Sequence, residues 1–128
     1  GATGDVANTD FDYAATGDSN ILTFTQGASA TATAGNQDFA ITGSSNDINA
    51  TCEVVGCINN WAITGSSNDI DTTQTGNADH SITATITGST NNIDVDQTST
   101  GGSTSDVLVI TATTSNGTID IDQCASGC

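Results

Sequence analysis

A short phrase recurs five times along this chain: Gly17-Asp-Ser-Asn-Ile-Leu22, Gly43-Ser-Ser-Asn-Asp-Ile48, Gly65-Ser-Ser-Asn-Asp-Ile70, Gly88-Ser-Thr-Asn-Asn-Ile93 and Thr114-Ser-Asn-Gly-Thr-Ile119. Taking the closing aliphatic residue of each copy as a reference, successive references lie 26, 22, 23 and 26 residues apart. A period of this length marks a solenoid, in which each unit covers its apolar face only by stacking on its neighbours.

Side chains in a strand alternate between faces. Two and four residues beyond each reference, one face reads Leu22, Phe24, Gln26; Ile48, Ala50, Cys52; Ile70, Thr72, Gln74; Ile93, Val95, Gln97; and Ile119, Ile121, Gln123. Nine and seven residues before each reference, a second strand type reads Tyr13, Ala15; Phe39, Ile41; Trp61, Ile63; Ala84, Ile86; and Ile110, Ala112, extended by Phe11, Ile82 and Leu108. Two such strands per unit, each with one apolar face, predict an all-β, two-sheet parallel β-solenoid of about five strand-arc-strand rungs. The expected rungs are roughly 5–27, 28–53, 54–75, 76–98 and 99–128 of a single domain spanning 1–128. An antiparallel sandwich is the rival architecture, but it would not need stacked ladders. The low-complexity, acidic composition also suits a disordered chain, against which the phased apolar ladders argue.

The repeat as cut opens on a second-type strand (Phe11, Tyr13, Ala15) and closes on a first-type strand (Ile119, Ile121, Gln123), so it reads as whole rungs with no fraction left over. Phe11 and Tyr13 at one end, with Ile119 and Ile121 at the other, are then the expected join between subunits that stack head to tail. Gly43, Gly65 and Gly88 are expected to take positive φ at the bend, beside Ser and Asn side chains that bond local backbone.

The chain carries 15 acidic residues, no Lys or Arg and a single His, a formal net charge of −15. Nucleic acid and anionic membrane are therefore electrostatically opposed as partners. No apolar run is long enough to span a bilayer, and the absence of Met suggests a mature chain after removal of a leader. Cys52 and Cys57 bracket one arc, while Cys124 and Cys128 bracket the equivalent arc in another unit. Two local disulfides in an oxidising, extracellular setting are the economical pairing, with a bridge between subunits as the alternative. Zinc held by the four cysteines and His80 is disfavoured, because the pairs lie three units apart, roughly 14 Å along a stack.

The phrase Ile70-Asp-Thr-Thr-Gln74-Thr-Gly76-Asn77, together with the Asn series Asn20, Asn46, Asn68 and Asn91, resembles the curlin repeat of secreted, amyloid-forming fibre subunits. The resemblance runs over nearly the whole chain. It implies a β-solenoid, secretion and end-to-end polymerisation into an extracellular filament, with itself as the partner. The chain departs from that pattern in having Gln on one strand only, Cys52 in place of one Gln, four cysteines and no basic residue.

Four kinds of site follow from the ladders. Gln26, Gln74, Gln97 and Gln123 would stack at about 4.8 Å, where each amide donates to the next along the axis. Asp71, Asp94, Asp96, Asp120 and Asp122 fall on the outward face of adjacent rungs, a cluster that Ca²⁺ or shared protons could moderate. A solvated acidic face in a salty or acidic habitat is the equal alternative. Asn49 and Asn116 open N-glycosylation acceptor motifs, so glycans are possible partners. An outward Thr rank, Thr16, Thr42, Thr64, Thr87 and Thr113, admits a monomeric solenoid that binds ice or another surface, although strand propensity explains it more simply.

An enzyme lacks its parts here. The acids repeat as ladders instead of converging, and no basic residue exists to activate a nucleophile or hold an oxyanion. The sequence thus predicts a structural subunit, without catalysis or a required cofactor, that stacks into an extracellular, cell-surface filament or matrix.

Overall fold

A computed structural model of the chain describes residues 2–4, 10–27, 33–53, 55–76, 80–100 and 106–125. Every regular element in them is a strand. The second-type strands are β2 (Asp10–Thr16), β4 (Thr33–Thr42), β6 (Val55–Thr64), β8 (Ser81–Thr87) and β10 (Val107–Thr113). They form one five-stranded sheet in the order β10-β8-β6-β4-β2. The first-type strands are β1 (Ala2–Gly4), β3 (Ser19–Gln26), β5 (Ser45–Cys52), β7 (Ser67–Gly76), β9 (Thr90–Ser99) and β11 (Asn116–Ala125). They form the second sheet, in the order β1-β3-β5-β7-β9-β11. All pairings are parallel, so the chain is the expected two-sheet β-solenoid.

Register follows the repeat without slippage. Leu22, Ile48, Ile70, Ile93 and Ile119 are successive Cα partners, as are Gln26, Cys52, Gln74, Gln97 and Gln123. In the facing sheet Tyr13, Phe39, Trp61, Ala84 and Ile110 align, and so do Ala15, Ile41, Ile63, Ile86 and Ala112. The cause is the strand period of two: a shift by one residue would turn every apolar side chain to solvent.

The core is the gap between the sheets. Ile48, Ile70, Ile93, Ile41, Ile63, Ile82 and Ile86 are fully buried in it, each contributing about 1.5–3 kcal/mol of transfer free energy. Aromatic rings gather toward the β2 end, with Phe11 stacked on Phe24 at 4.4 Å and Phe39 on Trp61 at 5.7 Å. The rungs holding Phe39 and Trp61 carry small Ala50 and Thr72 in their other strand, whereas the rung with Ala84 carries Val95. Large and small side chains thereby offset one another across these three rungs, as close packing requires.

One position departs from the rest of its column, and one expectation needs correction. Ile119 continues its column, yet it is 47% exposed where Ile70 is 0% exposed. The reason is position: β11 pairs only with β9 and lies on the edge of its sheet. The stack also does not divide into whole rungs. The short strand β1 pairs with β3 through Ala2↔Phe24, Thr3↔Thr25 and Gly4↔Gln26, adding a partial first-type strand ahead of β2.

Candidate functional site

Where β2, β4, β6 and β8 bend into β3, β5, β7 and β9, one arrangement is repeated four times. The Asn20 amide donates to the Asn46 side-chain oxygen at 2.9 Å, Asn46 to Asn68 at 2.8 Å, and Asn68 to Asn91 at 2.7 Å. Each Nδ2 also donates across the bend, to the carbonyls of Thr42, Thr64, Thr87 and Thr113 in turn, at 3.1–3.3 Å. The same four carbonyls accept the N–H groups of Gly17, Gly43, Gly65 and Gly88 at 2.9–3.0 Å. One carbonyl oxygen thus uses both lone pairs, and the buried amides of Asn46, Asn68 and Asn91 stitch the two sheets together along the axis.

This arrangement also explains the turn glycines, and not as expected. Gly43, Gly65 and Gly88 are absent from the glycines with positive φ, a conformation that Gly56 adopts at φ 72°. What excludes a side chain is proximity: a Cβ on Gly43 would lie 2.0 Å from the Gly17 oxygen, and one on Gly65 or Gly88 2.3 Å from the oxygen of the preceding turn glycine. The Asn side chains close the remaining space, at 2.5–2.9 Å from the same three positions. Backbone approach therefore selects glycine here, as it does wherever a chain passes close to another. The column ends at Gly117, which aligns with Asn91 in β11.

The opposite side of the stack is less uniform. Gln123 donates to Gln97 at 2.6 Å and Gln97 to Gln74 at 2.9 Å. Gln74 then turns to the carbonyls of Cys57 and Ser81 at 3.4 Å. Gln26 is cut off by Cys52 and instead accepts from Gln37 at 3.0 Å. The expected Gln ladder is real over three rungs and broken at the cysteine. Cys52 and Cys57 form a disulfide that closes the connection between β5 and β6, as the spacing predicts. Cys124 is disulfide-bonded too, while Cys128, its expected partner, lies outside the described residues. His80 is buried beside this bridge, its Nδ1 accepting the Cys57 N–H at 3.3 Å. Asp106 accepts from the Ser99 hydroxyl at 2.7 Å and from the His80 backbone N–H at 3.0 Å.

Sequence reasoning did not single out two buried polar residues in the inward column Phe11, Gln37, Asn59, Ile82, Leu108. Gln37 is bonded through its nitrogen, but neither side-chain atom of the buried Asn59 meets a partner in the structure. The signal was available, since both stand at positions the period assigns to the core.

The five aspartates of the expected cluster lie where the alternation puts them, on the outer face of the first-type sheet. Asp71, Asp94 and Asp120 are Cα partners in β7, β9 and β11, and Asp96 aligns with Asp122. A shallow groove of about 190 Å³ runs over Asp47, Asp69, Asp71 and Asp94, with Asn49 and Asn92 between them. The Asp94 carboxyl is raised above its ordinary range, first because neighbouring rungs strip part of its hydration, then by the charges of Asp96, Asp71, Asp120 and Asp122. Among the described residues no three His, Cys, Asp or Glu side chains converge to hold a metal ion. Asn49 and Asn116 are both exposed, Asn49 donating to Asp71 at 3.4 Å. The Thr rank Thr16, Thr42, Thr64, Thr87 and Thr113 is exposed and in register on the other sheet.

At the two ends of the stack, inward-facing apolar groups are left uncovered. Ile119 and Ile121 are 47% and 43% exposed, and Phe11 and Tyr13 are half-buried. No family model, curated protein or solved structure matches the chain.

Proposed function

We propose that this protein is a structural subunit that stacks head to tail into an extracellular filament. The observation that carries the reading is the complementarity of the two ends. Among the described residues β10 and β11 have neighbours on one side only, and so does β2. Continuing the observed register from β11 to the β3 of a second copy, in the layer where β1 pairs with Phe24–Gln26 and would have to give way, would seat Ile119 on Leu22, Ile121 on Phe24 and Gln123 on Gln26. Continuing it from β10 to the second copy's β2 would seat Leu108 on Phe11 and Ile110 on Tyr13.

Charges avoid one another in the same alignment. Asp120 and Asp122 would meet Thr23 and Thr25, while Asp10 and Asp12 would meet Val107 and Val109. Apolar columns therefore continue, amide meets amide, and no acid faces an acid, in a chain that has no base to neutralise one. Covering Phe11 and Tyr13 would add roughly 1.5–3 kcal/mol for each ring if complete. The join also pairs the open ladder groups that an isolated stack leaves to solvent. A disulfide suits the oxidising exterior in which such a filament would stand. Calcium along the aspartate columns and glycans on Asn49 or Asn116 are optional additions to this reading.

The test is electron microscopy of the purified chain beside an Ile119→Asp/Ile121→Asp variant. The unaltered chain should form unbranched filaments, and the variant should remain a folded monomer. Undiminished filaments from the variant would place the join elsewhere.

The exposed, in-register Thr rank favours a second reading, a monomer that binds ice or another surface. Thermal hysteresis by a chain that stays monomeric, lost on Thr64→Val or Thr87→Val, would select it.

A further inference from the structure

The fifth bend, where β10 passes into β11, departs from the other four in two places at once. Register sets Thr113 beside Thr87 and Asn116 beside Thr90, so Thr114 stands where the other bends have glycine, and Gly117 stands where they have asparagine. In the bends at Gly43, Gly65 and Gly88 the close approach falls on the glycine position, since a Cβ there would lie 2.0–2.3 Å from the backbone oxygen beneath. Thr114 carries a Cβ, so the fifth bend cannot make that approach. Its close approach comes later in the bend: a Cβ on Gly117 would stand 2.5 Å from the Asn91 backbone oxygen. The same Cβ would lie 3.0 Å from Thr114 Oγ1 and 3.2 Å from Thr114 Cγ2, so the threonine side chain fills the space into which an asparagine at 117 would grow. The Thr114 hydroxyl lies 2.9 Å from the Asn116 carbonyl and 3.3 Å from that of Ser89, held by its own bend and by the rung beneath. Glycine still marks the place where backbones touch, and that place has moved.

We propose that Thr114 and Gly117 act as one unit, a stop in the amide ladder: the threonine displaces the backbone contact, the glycine accommodates it, and the rung above is joined without an axial amide. The effect is visible at Asn91. Asn68 donates both to the Asn91 side-chain oxygen and to the Thr87 carbonyl, whereas Asn91 donates to the Thr113 carbonyl and is aligned with Gly117, which has no amide to receive it. The stop belongs to the bend itself, so it holds for whichever rung lies above. On the stacking reading given above, on which this part rests, that rung is the first of a second copy. The continued register sets Gly117 against Asn20, whose side-chain oxygen then receives no ladder amide. The turn edge is thereby interrupted once in each subunit, which keeps the join easier to part than the layers from β3 to β9.

The test is a double-mutant cycle on the full chain, read by urea unfolding. Thr114→Gly alone should raise the unfolding constant about fivefold, through loss of the hydroxyl, and Gly117→Asn alone about tenfold or more, through overlap with the Asn91 oxygen. Made together they let the fifth bend take the form of the other four, so the double variant should match or exceed the midpoint of the unaltered chain. Effects that simply multiply would overturn the pairing. Should the double variant not fold, the reverse transplant decides: Gly88→Thr/Asn91→Gly should fold where Gly88→Thr alone does not, and equal failure of both would overturn the pairing as well. Assembly is scored separately. Because Gly117→Asn with Thr114→Gly supplies the missing amide at the join, the critical concentration for filaments should fall about tenfold, the scale of one or two hydrogen bonds. An unchanged critical concentration in a double variant that passes the cycle would overturn the role at the join. Absence of filaments from both proteins would instead refute stacking, and the cycle would still decide the ladder stop.

Discussion

The two long sides of the stack solve the same problem differently. On the turn side, Gly, Thr and Asn recur in register, and the amides of Asn20, Asn46 and Asn68 each find both the next Asn and a Thr carbonyl, while Asn91, at the end of the column, finds the Thr113 carbonyl. On the arc side, the corresponding column reads Gln26, Cys52, Gln74, Gln97, Gln123, and its partners change from rung to rung. Buried polar atoms without partners are found in Asn59, in one oxygen each of Gln37 and Asp106, and at mid-strand in Trp61 Nε1 and Thr72 Oγ1, whereas the turn-side Asn side chains contribute none. The difference teaches where repetition is compulsory. Backbones in contact at the turn admit one solution, which every rung must copy; the arcs differ in length and content along the sequence.

The comparison is broken most sharply with glycine. Gly65→Ala would put a methyl 2.3 Å from the Gly43 oxygen and should cost about 3 kcal/mol or more, while Gly27→Ala on the arc side meets nothing within 4 Å and should be near neutral. Comparable denaturation midpoints for the two variants would end the distinction. Asn68→Ala should follow, at about 2–3 kcal/mol by urea unfolding, since it removes a ladder amide and leaves the buried Asn46 amide without one acceptor. Asn59→Leu should act in the opposite sense, raising stability by about 1 kcal/mol, because an apolar group of similar shape replaces a buried amide that bonds nothing.

The smallest effect is electrostatic. A carboxyl held above its ordinary value in the folded chain binds protons more readily there than when unfolded. Asp94 therefore detracts from stability at neutral pH, and the deficit disappears as the pH falls through its raised folded value toward the unfolded one. Asp94→Asn should raise the thermal midpoint slightly at pH 7 and leave it unchanged in strong acid. A shift of equal size at both pH values would remove the ladder charge as its cause.

Much of this fold was legible in the chain, for definite reasons. Ile48, Ile70 and Ile93 could be placed in one column because strand facing has a period of two and each turn returns the chain to the same phase. The Cys52–Cys57 bridge followed from their flanking one arc. Other features depend on distances between rungs, which a linear pattern does not contain. The turn glycines were expected for their torsional freedom, and only the Gly17–Gly43 approach reveals the steric reason. Residues Ala2–Gly4 carry no repeat signature, so their pairing with Phe24–Gln26 had no sequence signal to announce it. The exposure of Ile119 belongs to an edge, and an edge is a property of the stack.

The parallel register has a mechanical consequence. Hydrogen bonds of both sheets lie along the stacking axis, and the covalent chain runs across it, so axial tension loads every bond of one layer together. Pulled by its termini, a single chain would instead unwind by units of 22 to 26 residues. Each such release lengthens the chain by about 70–95 Å at the reach of extended backbone. The Cys52–Cys57 loop withholds its few residues from one of those steps, so force spectroscopy should show one extension shorter than its neighbours until the disulfide is reduced.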